Sequence, residues 1–481
     1  EAPEVWRPCR LPGLSEPATC ARIPVFEDRA AKSGRKLHIH VARLTASRGT
    51  SLADPLVFLA GGPGQAASHV AAHVLPGLRR VRRKRDILFV DLRGTGRSNP
   101  LACAPKNDAN ADLAEVFELE VKEKVLTNCR ASYQANLQHY TTANAVDDLE
   151  DVRRALGLGP VNALGVSYGS RVVLTWMRRH PAAVRAAILD GVAPPQMPLF
   201  APFARDAQRA WRLLVRDCAA NTICHARFPK LAGGLERLLA RLPQTVHLTH
   251  PVTSLPATVT LTKAGVAMAF RGLLYSAELA ALIPLTIEQA AAGDWQPLVA
   301  QALLLSDAAG TTTSLGLMLS TVCAEDLPRV TAMEIAAEVS GTFLGTAAID
   351  TAIGMCDRWP LQHGQSAAAA ATHLRSSATL KRAQKLSVAV TSDVPTLLLS
   401  GEADPVTPPR WAELARASLR HAAHVVLTGL GHSVSGRGCA PKVIAAFLTA
   451  ADDPAAAVAG ARCEMQTHRP AFFLSPSGPS P

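Results

Sequence analysis

Six short apolar runs set the rhythm of this chain: PLVFLAG at residues 55–61, DILFVD at 86–91, VNALGVS at 161–167, AAILDG at 186–191, PTLLLSG at 395–401 and AHVVLTG at 423–429. In most of them apolar residues follow one another instead of alternating with polar ones. Strands covered on both faces read this way, as in a parallel sheet with helices on each side. Segments of helical spacing lie between the runs. NAVDDLEDVRRALG at 144–157 ends on a glycine stop, and SRVVLTWMRRHP at 170–181 halts at Pro181. Strand and helix alternating in this manner predict an α/β fold, a doubly wound and mostly parallel sheet.

Between about residue 200 and residue 385 the rhythm changes. RDAQRAWRLLVRDCAA, GGLERLLARL, AELAALIPLTIEQAAAG and AEVSGTFLG are helical and rich in alanine and leucine, and TVHLTHPVTSLPATVTLT is the exception that reads as strand. AAAAATH near residue 370 is a further run of helix formers. A block of this kind, inserted into an α/β sheet, predicts a mostly helical cap over the edge where ligands enter. The organisation expected is therefore a core in two parts, residues 1–200 and 386–465, around a substrate-selecting cap at 201–385. The proline- and serine-rich tail, 466–481, is expected to fray.

At 481 residues and 48% hydrophobic content the chain can bury a substantial core. No run approaches the ~18 apolar residues needed to span a bilayer. Lysine and arginine outnumber the acids 50 to 39, and the densest cluster, LRRVRRKRD at 78–86, runs into a predicted strand. It reads as a solvated helix end: with 5% aromatic residues the chain has no stacking platform beside it, so no nucleic-acid partner is expected. The opening at Glu1, without an initiator Met or a charged-then-apolar leader, fits an export signal already removed, or a chain trimmed at its start.

Ten cysteines, Cys9, Cys20, Cys103, Cys129, Cys218, Cys224, Cys323, Cys356, Cys439 and Cys463, suggest neighbours joined in chain order, although spacing alone leaves hundreds of pairings open. Bridges of this kind predict an oxidising compartment, periplasmic or extracellular, the other reading being free buried thiols in a cytosolic enzyme. There is no Cys-x-x-Cys pair, and CAANTICH lacks a matching second ligand pair, so no metal is expected, nor any other cofactor.

The chemistry begins at GVSYGS, where Ser167 stands between two glycines at the junction of a predicted strand and helix. Such a junction can thrust a serine hydroxyl out of a sharp bend. A serine becomes a useful nucleophile only with a base to take its proton, an acid to orient the base, and N–H donors for the oxyanion. GEADPVTPP puts Asp404 just past a strand, and GLGHS puts His432 past the next. The order Ser, Asp, His, each beyond a strand, matches a triad built on one rim of a sheet. Asp190, which also ends a strand, is the rival acid, with a turn or capping role as its other reading. Tyr168, after the serine, and Gly62, in the glycine-rich loop GGPG, are the expected oxyanion donors. DLRGTGRSNP lacks the third glycine of a dinucleotide loop, and Asp91, Arg93 and Ser98 are expected to structure it.

Together GGPG at 61–64, DLRGTGRS at 91–98, GVSYGS at 165–170, GEADPVTP at 401–408 and GHS at 431–433 resemble the proline iminopeptidase and tripeptidyl aminopeptidase family of α/β-hydrolases, in particular its exported, cysteine-rich branch. The resemblance covers about residues 20–200 and 385–465, and more loosely the cap. It implies a serine exopeptidase acting at free N-termini, with Ser167 as nucleophile, His432 as base, Asp404 as its orienter and a cap that selects substrate. Where proline iminopeptidases usually carry histidine before Gly-Gly-Pro-Gly, this chain has Ala60, so strict proline specificity is not implied. STVCAEDLPR at 320–329 resembles a motif of the same branch, and Glu325 with Asp326 is expected to hold the substrate's α-amine. The partner is then a peptide, or a small amide or ester if the chain is instead a secreted esterase or amidase, and a monomer is favoured.

Overall fold

The computed structural model describes residues 6–103, 109–119, 123–359, 377–461 and 467–478. The predicted run AAAAATH and the last cysteine, Cys463, lie outside them. All six apolar runs form strands: β4 (Leu56–Leu59), β5 (Ile87–Val90), β6 (Val161–Val166), β7 (Val184–Asp190), β10 (Thr396–Gly401) and β11 (Ala422–Leu427). They pair in parallel in the order β5-β4-β6-β7-β10-β11. Three further strands, β1 (Arg7–Cys9), β2 (Ala18–Phe26) and β3 (Lys36–Leu44), extend the sheet antiparallel beyond β5. The six apolar runs do not include these three; β2, for one, has a wetter face and mixes buried Ile23 and Val25 with exposed neighbours.

Burial on both faces is visible residue by residue. Along β4, Val57 and Leu59 pack into one core with Val146, Leu149 and Val172, while Leu56 and Phe58 pack into another with Leu75, Val443 and Phe447. The helices Thr142–Ala155 and Tyr168–Arg179 cover the first face; Ala67–Arg82 and Ala440–Thr449 cover the second. Gly157, at φ 65°, stops the helix that the sequence predicts to end there. The chain crosses from β4 out to β5 and returns to β6 on the other side of β4. Beside this reversal the carboxyl ends of β4 and β6 open a crevice, the place where open α/β sheets take ligands.

Between β7 and β10 the chain builds a run of helices from Phe203–Ala220 onward and one antiparallel hairpin, β8 (Gln244–Thr249) with β9 (Pro256–Leu261), where the lone strand-like segment was expected. Four disulfides join neighbours in chain order: Cys9–Cys20, Cys103–Cys129, Cys218–Cys224 and Cys323–Cys356. Cys439 is also disulfide-bonded.

The tail corrects one expectation. Over 467–478 it is strapped down rather than frayed: Thr467 and Thr428 exchange hydroxyl-to-carbonyl hydrogen bonds, Arg469 pairs with Asp217 at 3.1 Å, and the Phe473 N–H donates to the Ala281 carbonyl. The reason is the AFFL segment hidden in a proline- and serine-rich composition, since Phe472 and Leu474 are both buried.

Candidate active site

Ser167 sits between the end of β6 and the first residue of the helix Tyr168–Arg179, at φ 57° and ψ −124°. A side chain rarely adopts this conformation unless its surroundings enforce it. Here the two flanking glycines do so: a methyl on Gly165 would stand 2.2 Å from the Gly169 carbonyl oxygen, and one on Gly169 would stand 2.3 Å from the Leu59 carbonyl oxygen. Strand and helix can meet this closely only without side chains at both positions. The Ser167 N–H donates to the Asp190 carbonyl at 2.8 Å, which ties the bend to the end of β7.

Asp404 and His432 come from the loops after β10 and β11. Those loops touch at glycines as well: a methyl on Gly401 would lie 1.9 Å from the Gly431 carbonyl oxygen. His432 Nδ1 donates to Asp404 Oδ2 at 2.7 Å. The second oxygen, Oδ1, accepts the Val406 and Thr407 N–H groups at 2.8 and 2.9 Å, and the Thr407 hydroxyl donates to Oδ2 at 2.8 Å. Burial opposes the charge on Asp404, yet the imidazole and these N–H donors outweigh it and hold the carboxyl below its ordinary value. Burial also disfavours a charged His432, and Asp404 more than offsets this, raising the imidazole above its usual 6.5. The histidine ring lies against Gly191, where a methyl would come within 3.0 Å of Cε1, and against the Tyr275 ring, edge to face at 5.4 Å. The His432 N–H donates to the Tyr275 carbonyl at 2.8 Å. Ser167 is thus tied to Asp190 by its N–H, and the His432 ring lies against the next residue, Gly191.

Asp190 has a different task. Its buried carboxylate accepts the Val434 and Ser435 N–H groups at 2.9 and 2.8 Å and the Ser433 hydroxyl at 3.2 Å, bracing the loop that follows the histidine. Its carboxyl is raised, burial being the main cause. The turn role, one of its two readings from sequence, is the one its contacts match.

Gly62, at φ 105° and exposed, lies in the loop between β4 and the helix Ala67–Arg82. Its neighbour Gly61 faces the serine: a methyl there would stand 2.9 Å from Ser167 Cβ. Tyr168 opens the helix after the serine, and the first turn of any helix leaves N–H groups without an intrahelical acceptor. Asp91, Arg93 and Ser98 do structure their loop. Asp91 accepts from Ser68 and the Arg97 N–H, Arg93 grips Asp148 at 2.7 Å through two nitrogens, and the Ser98 hydroxyl donates to the Asp91 carbonyl.

Glu325 and Asp326 are brought close to the serine's helix, but against the protein's own donors. Asp326, fully buried, takes both oxygens to Arg171 at 2.9 and 3.1 Å and also accepts the Leu199 N–H and Arg329. Glu325 accepts the Thr142 N–H at 2.7 Å and the Thr142 hydroxyl at 2.5 Å. The cavity beside it, lined by Thr142, Arg171 and Arg329, has room for about one water molecule, too little for a peptide's N-terminus. Three residues of this neighbourhood carry no signal in the sequence: Tyr275, Thr142 and Arg171 reach the site only through the fold. Thr407, three residues after Asp404 in a turn, had such a signal.

Known proteins resemble this chain in family and fold. A family described as the alpha/beta hydrolase fold matches residues 54–297, and one described as TAP-like protein matches 342–463. Over 505 aligned residues the chain is 27% identical to the serine protease Hip1 of Mycobacterium tuberculosis, spanning 96% of this chain and 91% of that protein. It is 28% identical over 206 residues to a tripeptidyl aminopeptidase of Streptomyces coelicolor, 40% of this chain and 38% of that one. With a proline iminopeptidase of Neisseria gonorrhoeae it shares 31% over 139 residues, 29% of this chain and 32% of the other.

Proposed function

This chain belongs to the α/β-hydrolase family, and from that premise we propose that it is a serine exopeptidase that cleaves peptides near their free N-termini. The observation that carries the reading is the hydrogen bond from His432 Nδ1 to Asp404 Oδ2, formed at the rim where Ser167 is held in its bend. With Nδ1 committed to the carboxylate, Nε2 is the ring nitrogen left to take the Ser167 proton. The serine oxygen attacks the peptide carbonyl, and Asp404 stabilises the imidazolium that forms. The N–H groups of Tyr168 and Gly62 receive the oxyanion. His432 then hands its proton to the leaving amine, and water releases the acyl group by the same steps in reverse roles.

Preference for free N-termini is supported by the relatives named tripeptidyl aminopeptidase and proline iminopeptidase. The helical block at 201–385 serves as the cap: Tyr275 from it meets the His432 ring, and Ser314 meets the GGPG loop. The amine-holding role expected of Glu325 and Asp326 is withdrawn, because both carboxylates are engaged by Thr142 and Arg171. They act as internal supports. The disulfides support a secreted or periplasmic setting.

A fluorophosphonate probe followed by peptide mapping tests the nucleophile, with labelling at Ser167 expected. A panel of free and N-blocked amino-acid, dipeptide and tripeptide p-nitroanilides beside p-nitrophenyl esters tests the substrate. Faster turnover of free peptide anilides is expected. Preference for blocked anilides removes the exopeptidase reading, and turnover of esters alone makes the protein an esterase.

A further inference from the structure

One cap helix, Leu315–Glu325, touches both sides of the place where the oxyanion would form. At its amino end the Ser314 N–H donates to the Gly64 carbonyl at 2.8 Å, and Thr313 pairs with Gln65 as an isolated bridge, so the helix is seated on the loop that carries Gly62. The fit is close: a methyl on Gly64 would stand 2.6 Å from the Ser314 carbonyl oxygen. At its carboxyl end Glu325 grips Thr142, and Thr142 Oγ1 lies 2.7 Å from the Tyr168 hydroxyl. Thr142 has one hydroxyl proton. It goes to the Glu325 carboxylate, so the Tyr168 hydroxyl must be the donor to Thr142. A directed chain therefore runs from Tyr168 through Thr142 to Glu325, entirely buried. Near Cys323 the helix is anchored by the disulfide to Cys356, on the helix Ala347–Asp357.

Resting on the reading of Tyr168 as an oxyanion donor, we infer that Glu325 is a positioning residue: through Thr142 it fixes the Tyr168 side chain, and so aims the Tyr168 N–H at the reacting carbonyl. Tyr168 is pinned at both ends, by the serine bend at its backbone and by this chain at its hydroxyl. An error of a fraction of an ångström in a preorganised donor is felt directly in turnover. Glu325 is faced by Thr142 and Tyr168, and the charges of Asp326 and Arg171 act on it. Arg329 lies beside it, donating to its backbone carbonyl. Burial pushes its carboxyl up, the Thr142 bonds and Arg171 pull it down, Asp326 pushes it up again, and the result is about 7. A protonated Glu325 can no longer accept two donors on two free oxygens, so the chain loosens as pH falls through that value.

Glu325→Gln tests this with the best peptide anilide of the panel and with phenylboronic acid, whose tetrahedral adduct on serine places an oxygen in the same hole. The expected result is a fall in kcat of about tenfold or more with KM changed less than about twofold, and weaker boronate binding by a similar factor. The acid limb of kcat, two protons steep in the parent, becomes one proton steep. Thr142→Val should match these losses and Thr142→Ser should restore them, while Tyr168→Phe combined with Thr142→Val should lose no more than either alone. Thr142 variants carry the test if Glu325→Gln does not fold. Unchanged kcat and boronate affinity per folded molecule overturn the inference, as does lower thermal stability alone. A parent protein that hydrolyses no substrate and binds no boronate instead sinks the serine hydrolase reading itself, and the inference with it.

Discussion

Asp190 ends β7 and Asp404 lies three residues beyond the neighbouring parallel strand β10; both are buried, and the charges of both act on His432. Their surroundings separate them. Asp404 has an imidazole at 2.7 Å and two backbone N–H groups, and its carboxyl is lowered. The Asp190 carboxylate accepts, among the described residues, from the loop of residues 433–435, and its carboxyl is raised. What distinguishes the acid bonded to the histidine from the architectural one is the partner each meets: the donors of the 433–435 loop do not offset the burial of the Asp190 charge, whereas the imidazole at hydrogen-bond distance together with the N–H groups does so at Asp404. The residue type and the burial are the same.

The largest expected effect follows from exchanging that partner's orientation. Asp404→Asn should lower kcat by about 10⁴ with the fold retained, since an amide no longer favours the Nδ1–H tautomer. Steady-state kinetics beside a circular dichroism melt would check this, and a loss confined to stability would reverse the two assignments. Gly401→Ala, which forces the two loops apart at their closest point, should lower kcat by roughly 10². Asp190→Ala should instead register in stability. It leaves the Val434 and Ser435 N–H groups without an acceptor, a loss of about 2–4 kcal/mol in urea unfolding, while Ser167 still takes the fluorophosphonate label.

The pH profile separates the two acids again. The proposed mechanism needs neutral His432, so its raised value places an acid limb of kcat/KM above 6.5, activity rising with pH through it. Asp404→Asn, by removing the stabilising charge, should move that limb to lower pH in the residual activity. In stability the signs differ. The lowered Asp404 contributes above its unfolded value near 3.8 and loses that contribution as pH falls through its folded value. The raised Asp190 contributes below 3.8 and loses it as pH climbs through its folded value. The smallest effect belongs to Ser433→Ala, which removes one 3.2 Å bond to Asp190: under about 1 kcal/mol, and less than a twofold change in kcat.

Much of this was written in the chain order. Continuous apolar runs can be satisfied only between two helical layers, so the six parallel strands are local consequences of composition. The glycines at 165, 169, 401 and 431 are legible for a similar reason, since close backbone approach admits nothing larger. Candidate members of a serine–histidine–acid set could be named because each follows a strand, and strand ends in a parallel sheet share one rim. Spatial neighbours were a different matter. That Glu325 meets Thr142 and Asp326 meets Arg171, across 183 and 155 residues of chain, is decided by how the inserted helices dock, and no local period encodes it. The same holds for Tyr275 against His432 and for the strapped tail. The sequence alone determined which segments become strands and helices, because those choices answer to propensity and burial over a few residues. Tertiary structure alone decided which acid serves the histidine and which acids are locked away, because a carboxylate's charge is set by whatever stands a few ångströms from it in space.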